Sequence, residues 1–172
     1  MTERKTSMAK SALNYSLVTG AVIIIFSLLL YVLNINVYEN DILGYVSYAI
    51  LIIGMIIGSK SFRDNELDGF ASYGQAYGSG ILIVFFTAVL VSVYTYLFYG
   101  FIYPEGLDEM LRVSEEKMYQ KGLEGEQLDA ALAITKKFMN PVLLSVSVFF
   151  GYLVWGAIIS VVISFFIKKE PK

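Results

Sequence analysis

Four stretches of this chain contain no Asp, Glu, Lys or Arg: Ser11 to Tyr38, Ile42 to Ser59, Gly69 to Pro104 and Phe138 to Ile167. A helix rises about 1.5 Å per residue, so roughly 17 to 25 apolar residues cross a hydrocarbon core of about 30 Å. Each stretch can hold such a helix, and the spans read from the sequence are 12–33, 42–58, 77–101 and 142–167. Composition agrees: 56% of residues are hydrophobic and the mean hydropathy is +0.63, whereas soluble domains average about 45–50% apolar. The expected fold class is an all-α membrane protein, one membrane domain over residues 1–172 with four transmembrane helices. The second span is the weakest, because Gly44, Gly54 and Gly58 dilute it, and a re-entrant segment is its alternative. The first follows Arg4, Lys5 and Lys10 as a signal peptide would. Its apolar region is too long for one and no Ala-x-Ala site follows, so it is expected to stay as an anchor.

The basic residues set an expected orientation. Arg4, Lys5 and Lys10 precede the first span, Lys60 and Arg63 lie in the second connection, and Lys168, Lys169 and Lys172 follow the last span. The first connection, Asn34 to Asp41, carries Glu39 and Asp41 and no cation. This bias favours both termini in the cytoplasm. Lys136 and Lys137, just before the fourth span, argue the other way.

Between the third and fourth spans lies an insert, about 104–140, that is rich in charge. Leu107, Met110, Leu111, Ser114 and Met118 fall at helical spacings and form one apolar stripe. Lys117 and Lys121 suit the end of that helix, and Gly122 suits the left-handed closing position. Leu128, Ala131, Leu132, Thr135, Phe138 and Met139 form a second stripe, with Glu124, Glu126 and Asp129 at its start and Lys136 and Lys137 in its last turn. Pro141 pushes Asn140 away from helical angles and kinks the chain into the fourth span. A helical hairpin is expected, its two stripes burying most of each other.

The run EEKMYQKGLEGEQLDAALAITKKFMNP, with GYLVWGAIISVVISFFIKK after it and FRDNELDGFASYGQAYGSG before the third span, resembles the domain-of-unknown-function 4199 family of small bacterial membrane proteins. The likeness covers essentially the whole chain. It implies membrane location and this topology, here the bacterial cytoplasmic (inner) membrane. It implies no assigned activity and no catalytic residues.

Much chemistry is excluded by residue type. Histidine and cysteine are absent, which removes thiolate metal sites, disulfides and haem ligation by histidine. The spans lack the ionisable groups that proton relays and ion pathways use. No cofactor, metal or nucleic-acid partner is expected, and no catalytic residue. Asp64, Glu66, Asp68 and Gly69 mimic the opening of a calcium loop. Glu66 is too long for its position and Gln75 stands where a bidentate carboxylate is required, so a solvated Asp-Gly turn is the expectation. Ser11-Ala12 and Thr19-Gly20 repeat as Ala71-Ser72 and Ser79-Gly80, either by hairpin duplication or by chance.

Small residues recur at helical spacing: Gly54 with Gly58, Gly74 with Gly78, Ser147 with Gly151, and Gly156 with Ser160 and Ser164. They serve close helix packing within the bundle or self-association into a homo-oligomer. Gly151 and Gly156 lie about 140° apart around their helix, as in a central helix facing two neighbours. Most of the thirteen tyrosines fit interfacial belts. Tyr152 and Trp155 sit at mid-depth and are expected to find Thr19, Ser27, Thr87 or Ser92, either as core packing or as the wall of a pocket for an amphipathic ligand or lipid. Glu105, Asp108, Glu109, Glu115 and Glu116 give the first insert helix a negative outer side, suited to a membrane or extracytoplasmic protein partner. The leading expectation is a non-enzymatic accessory or scaffold protein docking through the hairpin. The alternative is a small channel or transporter for a neutral or lipid-like solute.

Overall fold

The computed structural model describes residues 7–39 and 41–170; Arg4, Lys5 and Lys172, which entered the charge comparison, lie outside the described residues. Among the described residues six α-helices follow in order: α1 (Met8–Val32), α2 (Asp41–Glu66), α3 (Tyr73–Leu97), α4 (Gly106–Gln120), α5 (Gly125–Phe138) and α6 (Pro141–Ile167), with a π-helical turn at Phe98–Ile102. Among the described residues, α1, α2, α3 with its π turn, and α6 are long and apolar enough to cross a membrane, with mean hydropathies of 2.1 to 2.4. The protein is an all-α multi-pass membrane protein with a two-helix hairpin between its third and fourth spans.

The helix ends explain where the boundaries differ from expectation. α3 starts at Tyr73 rather than Tyr77 because Ser72 and Gln75 form a capping box, with bonds of 3.3 and 2.9 Å. α2 runs on through Lys60 and Arg63, which sequence reading assigned to the connection, and so has ample length for a full crossing. It stops where Asp68 (φ 55) and Gly69 (φ 83) take left-handed angles, the expected Asp-Gly bend. Asp64 and Glu66 are therefore helical, and Asp64 pairs with Arg63 at 2.7 Å. Asn140 has extended angles, as Pro141 demands, and its side chain accepts from Leu143 N at 2.9 Å to cap α6.

The central helix is α3, not α6 as the Gly151 and Gly156 spacing suggested: it packs against α1, α2 and α6, most extensively against α6. Its buried face, Ala76, Ser79, Gly80, Ile83, Val84, Thr87, Ala88, Val91 and Thr95, repeats at three and four residues. Small residues allow these approaches. A Cβ on Gly156 would lie 2.6 Å from Val84 Cγ2, one on Gly58 2.6 Å from Ile83 Cδ1 and 2.9 Å from Tyr15 Cβ, and one on Gly54 would overlap Thr19. Ser160 is buried and its Oγ donates to the Tyr77 carbonyl at 3.2 Å. Gly151 is different, with no atom within 4 Å of a Cβ placed there, so it forms no helix crossing.

At the end where α1 begins and α6 finishes, α6 is clasped by α2. Arg63 Nη1 donates to the Ile167 carbonyl at 2.9 Å, a cation on a C-terminal carbonyl where the helix dipole favours it. Ala71 and Lys169 exchange two backbone bonds of 2.9 Å.

The hairpin occupies the other end. α4 closes through Gly122 (φ 85), with Leu123 N bonded to the Met118 carbonyl at 3.2 Å and Gly122 N to that of Tyr119 at 2.9 Å, a Schellman arrangement. Mutual burial of the two stripes is only partial. Of α4, Gly106 and Val113 are buried, whereas α5 buries no residue fully; Leu128, Ala131, Leu132 and Thr135 are half-covered.

Candidate functional site

The π turn that ends α3 organises the hairpin end of the bundle. Tyr103 N donates to the Phe98 carbonyl at 2.7 Å, five residues back, so the widened turn brings these two onto one face. Their rings stand 6.0 Å apart. Tyr31 from α1 meets Phe98 edge-on at 5.3 Å and Tyr103 at 5.1 Å, and Tyr99 meets Phe98 edge-on at 5.1 Å. Edge-to-face geometry satisfies the ring quadrupoles and makes corners instead of a flat stack.

α4 is fastened over these rings by polar side chains from the α1–α2 connection. Glu109 accepts from Asn36 Nδ2 at 2.7 Å and from the Tyr103 hydroxyl at 2.5 Å. Asn36 Nδ2 also reaches Glu39 at 3.0 Å, and Asn36 Oδ1 accepts from Tyr38 N at 2.9 Å. Arg112 lies 3.4 Å from Glu39 and 4.0 Å from Glu116. The Tyr38 and Tyr99 hydroxyls bond to each other. The bond to Glu109 pushes the Tyr103 phenol up to about 12, since an ionised phenol would face a carboxylate. Tyr38 is raised further, mainly by burial and then by its neighbour Tyr99.

Two cavities lie here. The outer, about 260 Å³, is walled by Tyr31, Tyr38, Phe98, Tyr99 and Tyr103, with Glu109 and Asn36 at its edge. The inner, about 310 Å³, lies among α1, α2, α3 and α6 beneath Met110 of α4; Ser47, Tyr48, Tyr94, Thr95 and Tyr152 supply its polar wall and Ile23, Val91, Leu144 and Val148 its apolar wall. Ser27, Phe98 and Tyr99 line both. Tyr94 donates to Ser27 at 3.0 Å, so part of the polar lining is satisfied within the wall. Hydroxyls set in an apolar surround can position a ligand's polar atoms while its body is buried by contact alone.

The family model described as "Protein of unknown function (DUF4199)" matches residues 14–169. The chain belongs to this family. Its members are small bacterial integral membrane proteins, and the match takes in most of α1, the other three spans and the hairpin of this one. No curated protein and no solved structure matches the chain.

Within this family member the residues singled out from sequence divide clearly. Tyr152 is 8% exposed and lines the inner cavity, but its partners come from α2: Ser47 is its hydrogen-bonding neighbour and the Tyr48 ring stacks on it at 5.5 Å. Thr87, one of the partners expected for it, is buried with a hydroxyl that has no hydrogen-bond partner among the described residues. Trp155 is 56% exposed on the outer side of α6 and does not share that setting. Of the five acids assigned to an outer surface, Glu105, Asp108, Glu115 and Glu116 are exposed, whereas Glu109 turns inward to Asn36 and Tyr103. Sequence reading did not find the meeting of Asn36, Tyr38, Tyr99, Tyr103 and Glu109. Its trace was the crowding of tyrosines at the ends of the first and third spans. Among the described residues no cluster of acidic side chains could hold a metal ion.

Proposed function

We propose that the protein is a non-enzymatic membrane protein that binds a small lipid-like solute in the tyrosine-lined cavities beneath α4. The observation that carries this reading is the inner cavity of about 310 Å³, whose wall combines hydroxyls with apolar side chains from four spans. Close packing of the bundle stops at this point, although the opposite half is tightly packed by glycine and serine. A soluble substrate would need a hydrated path, whereas an amphiphile matches a pocket that is mostly apolar. The proposed setting is the cytoplasmic membrane with both termini inside and the hairpin outside.

The test uses Gly44, which lines the inner cavity and has no atom within 4 Å of a Cβ placed there. Gly44→Phe should fill the cavity without moving a helix. Organic extracts of the purified chain are compared by mass spectrometry with bulk membrane lipid. The expected result is one amphiphile enriched with the native chain and lost with Gly44→Phe at an unchanged melting midpoint. Equal recovery from both proteins, or no enrichment, would refute the reading.

A second reading, the accessory protein docking through its hairpin, draws on α5. Ile134 is 60% and Phe138 48% exposed, side by side one turn apart on a helix that buries nothing fully. Replacing 107–138 by a Gly-Ser linker separates the two readings. Solute binding then predicts loss of the amphiphile; docking predicts that the amphiphile is kept and a co-purifying membrane protein lost.

A further inference from the structure

We infer that the outer aromatic cavity receives an organic ammonium group, the head of an amphiphile whose apolar body occupies the inner cavity. This rests on the solute-binding reading and adds the chemistry of the head group. Five aromatic rings wall the outer cavity, and those of Tyr31 and Tyr99 stand at 87° and 90° to that of Phe98. Rings set at right angles present faces and edges around a corner, and a cation is drawn to their faces electrostatically. Among the described residues one formal charge lines the cavity, and it is negative: Glu109. The groups that donate to it, Asn36 and Tyr103, are neutral, so they fix its position without cancelling its charge. Arg112, the cation nearest in sequence on α4, is engaged with Glu39 and Glu116. A carboxylate held in place beside aromatic walls is the complement of an ammonium. A neutral hydroxyl head would only hydrogen-bond to the carboxylate, as Asn36 and Tyr103 already do; an ammonium is drawn to both the carboxylate and the ring faces, and an anionic head would be repelled.

Size is consistent with this assignment. At roughly 30 Å³ per water, the outer cavity's 260 Å³ holds on the order of eight water volumes, enough for a small ammonium head. The shared lining of Ser27, Phe98 and Tyr99 makes the two cavities neighbours, and the proposed ligand lies across these residues with its head group toward the hairpin and its tail toward the bundle.

Thermal unfolding of the full chain in maltoside micelles, followed by circular dichroism, tests the proposal with three probes: octyltrimethylammonium, octanol and tetramethylammonium. Glu109→Gln removes the charge and keeps one acceptor oxygen for Asn36, while its amide N–H faces the Tyr103 hydroxyl as a donor; Tyr31→Leu removes one wall and keeps the charge. Octyltrimethylammonium should raise the melting midpoint saturably, with half-saturation at least tenfold higher in either variant. Octanol should stabilise all three proteins less and alike. If Glu109→Gln melts too low to titrate, the Tyr31→Leu series decides. Equal stabilisation by octanol and octyltrimethylammonium, unchanged in Glu109→Gln, would overturn the ammonium assignment and leave the cavity reading standing. Stabilisation by neither would overturn both. Tetramethylammonium acting at the same concentration as the octyl compound would overturn the amphiphile and identify a free small cation.

Discussion

Replacing Gly54 by alanine tests the close crossing of α1 and α2. A Cβ on residue 54 would overlap Thr19 Oγ1 and lie 2.7 Å from its Cγ2 and 3.0 Å from its Cβ. Thr19 is buried and its hydroxyl donates to the Tyr15 carbonyl at 2.7 Å. A threonine has no flexible tail to swing aside, so either α1 and α2 separate or Thr19 rotates and gives up that bond. Overpacking of this kind costs about 1–3 kcal/mol, while alanine gains at most about 1 kcal/mol over glycine in helix propensity. The net expectation is a loss of up to about 2 kcal/mol. Unfolding in mixed maltoside and dodecyl sulfate micelles, read by far-UV circular dichroism, provides the measurement. Gly151→Ala is the matched control: with open space around it, it should be neutral or stabilising by up to about 1 kcal/mol. Adding Thr19→Ala to Gly54→Ala removes the Oγ1 and Cγ2 contacts and should recover part of the loss, a coupling of about 0.5–3 kcal/mol in the opposite sense. Gly54→Ala as stable as Gly151→Ala, or no relief from Thr19→Ala, would refute a close crossing of α1 and α2 at this level.

Tyr103 should be among the last phenols to ionise. Its folded value of about 12 exceeds the unfolded one of about 10, so the stabilisation from its bond to Glu109 is fully present below about 10 and lost as pH rises through about 12. The ultraviolet absorbance titration of the native chain minus that of Tyr103→Phe should show one step near pH 12, and a step near pH 10 would contradict the bond. The proposed topology is read with Glu124→Cys, at an exposed position in a chain with no cysteine of its own. A membrane-impermeant maleimide should label it in intact spheroplasts, and labelling only after lysis would reverse the orientation.

How far the fold was legible depended on the range over which each signal acts. Apolar span length is local, and all four spans were visible in the charge-free stretches. Pro141 and Gly122 were legible because each constrains its own or a neighbouring backbone angle. The end of α2 was misplaced because charge marks where lipid stops, not where a helix stops; Arg63 stays helical and spends its charge on the Ile167 carbonyl of α6. The central helix was misassigned because every span carries small residues. Only the assembled bundle distinguishes Gly156, pressed on Val84, from Gly151, which meets open space. The candidate site was the least visible. Glu109 and Asn36 are 73 positions apart, and nothing within α4 alone distinguishes Glu109 from the exposed acids Asp108 and Glu116.

That pairing also bears on the length of the insert. A turn of about four to six residues would join two adjacent spans, so the extra chain needs a physical reason. α4 uses it to reach over the first connection: Glu109 meets Asn36, Arg112 meets Glu39, and Met110 looks into the inner cavity. α4 ends there, away from the start of α6, and α5 is the return that brings the chain back to Asn140. A return helix needs only enough contact to hold its course, which accounts for α5 lying partly covered on α4 with Ile134 and Phe138 left outside. The two helices of the hairpin thus have different work. α4 is tied to the bundle by a carboxylate and a guanidinium, a polar fastening that a charged ligand can compete for. Neutralising Glu109 should therefore alter binding beneath α4 before it alters the fold of the four spans, whose close crossings at Gly54, Gly58 and Gly156 do not involve it.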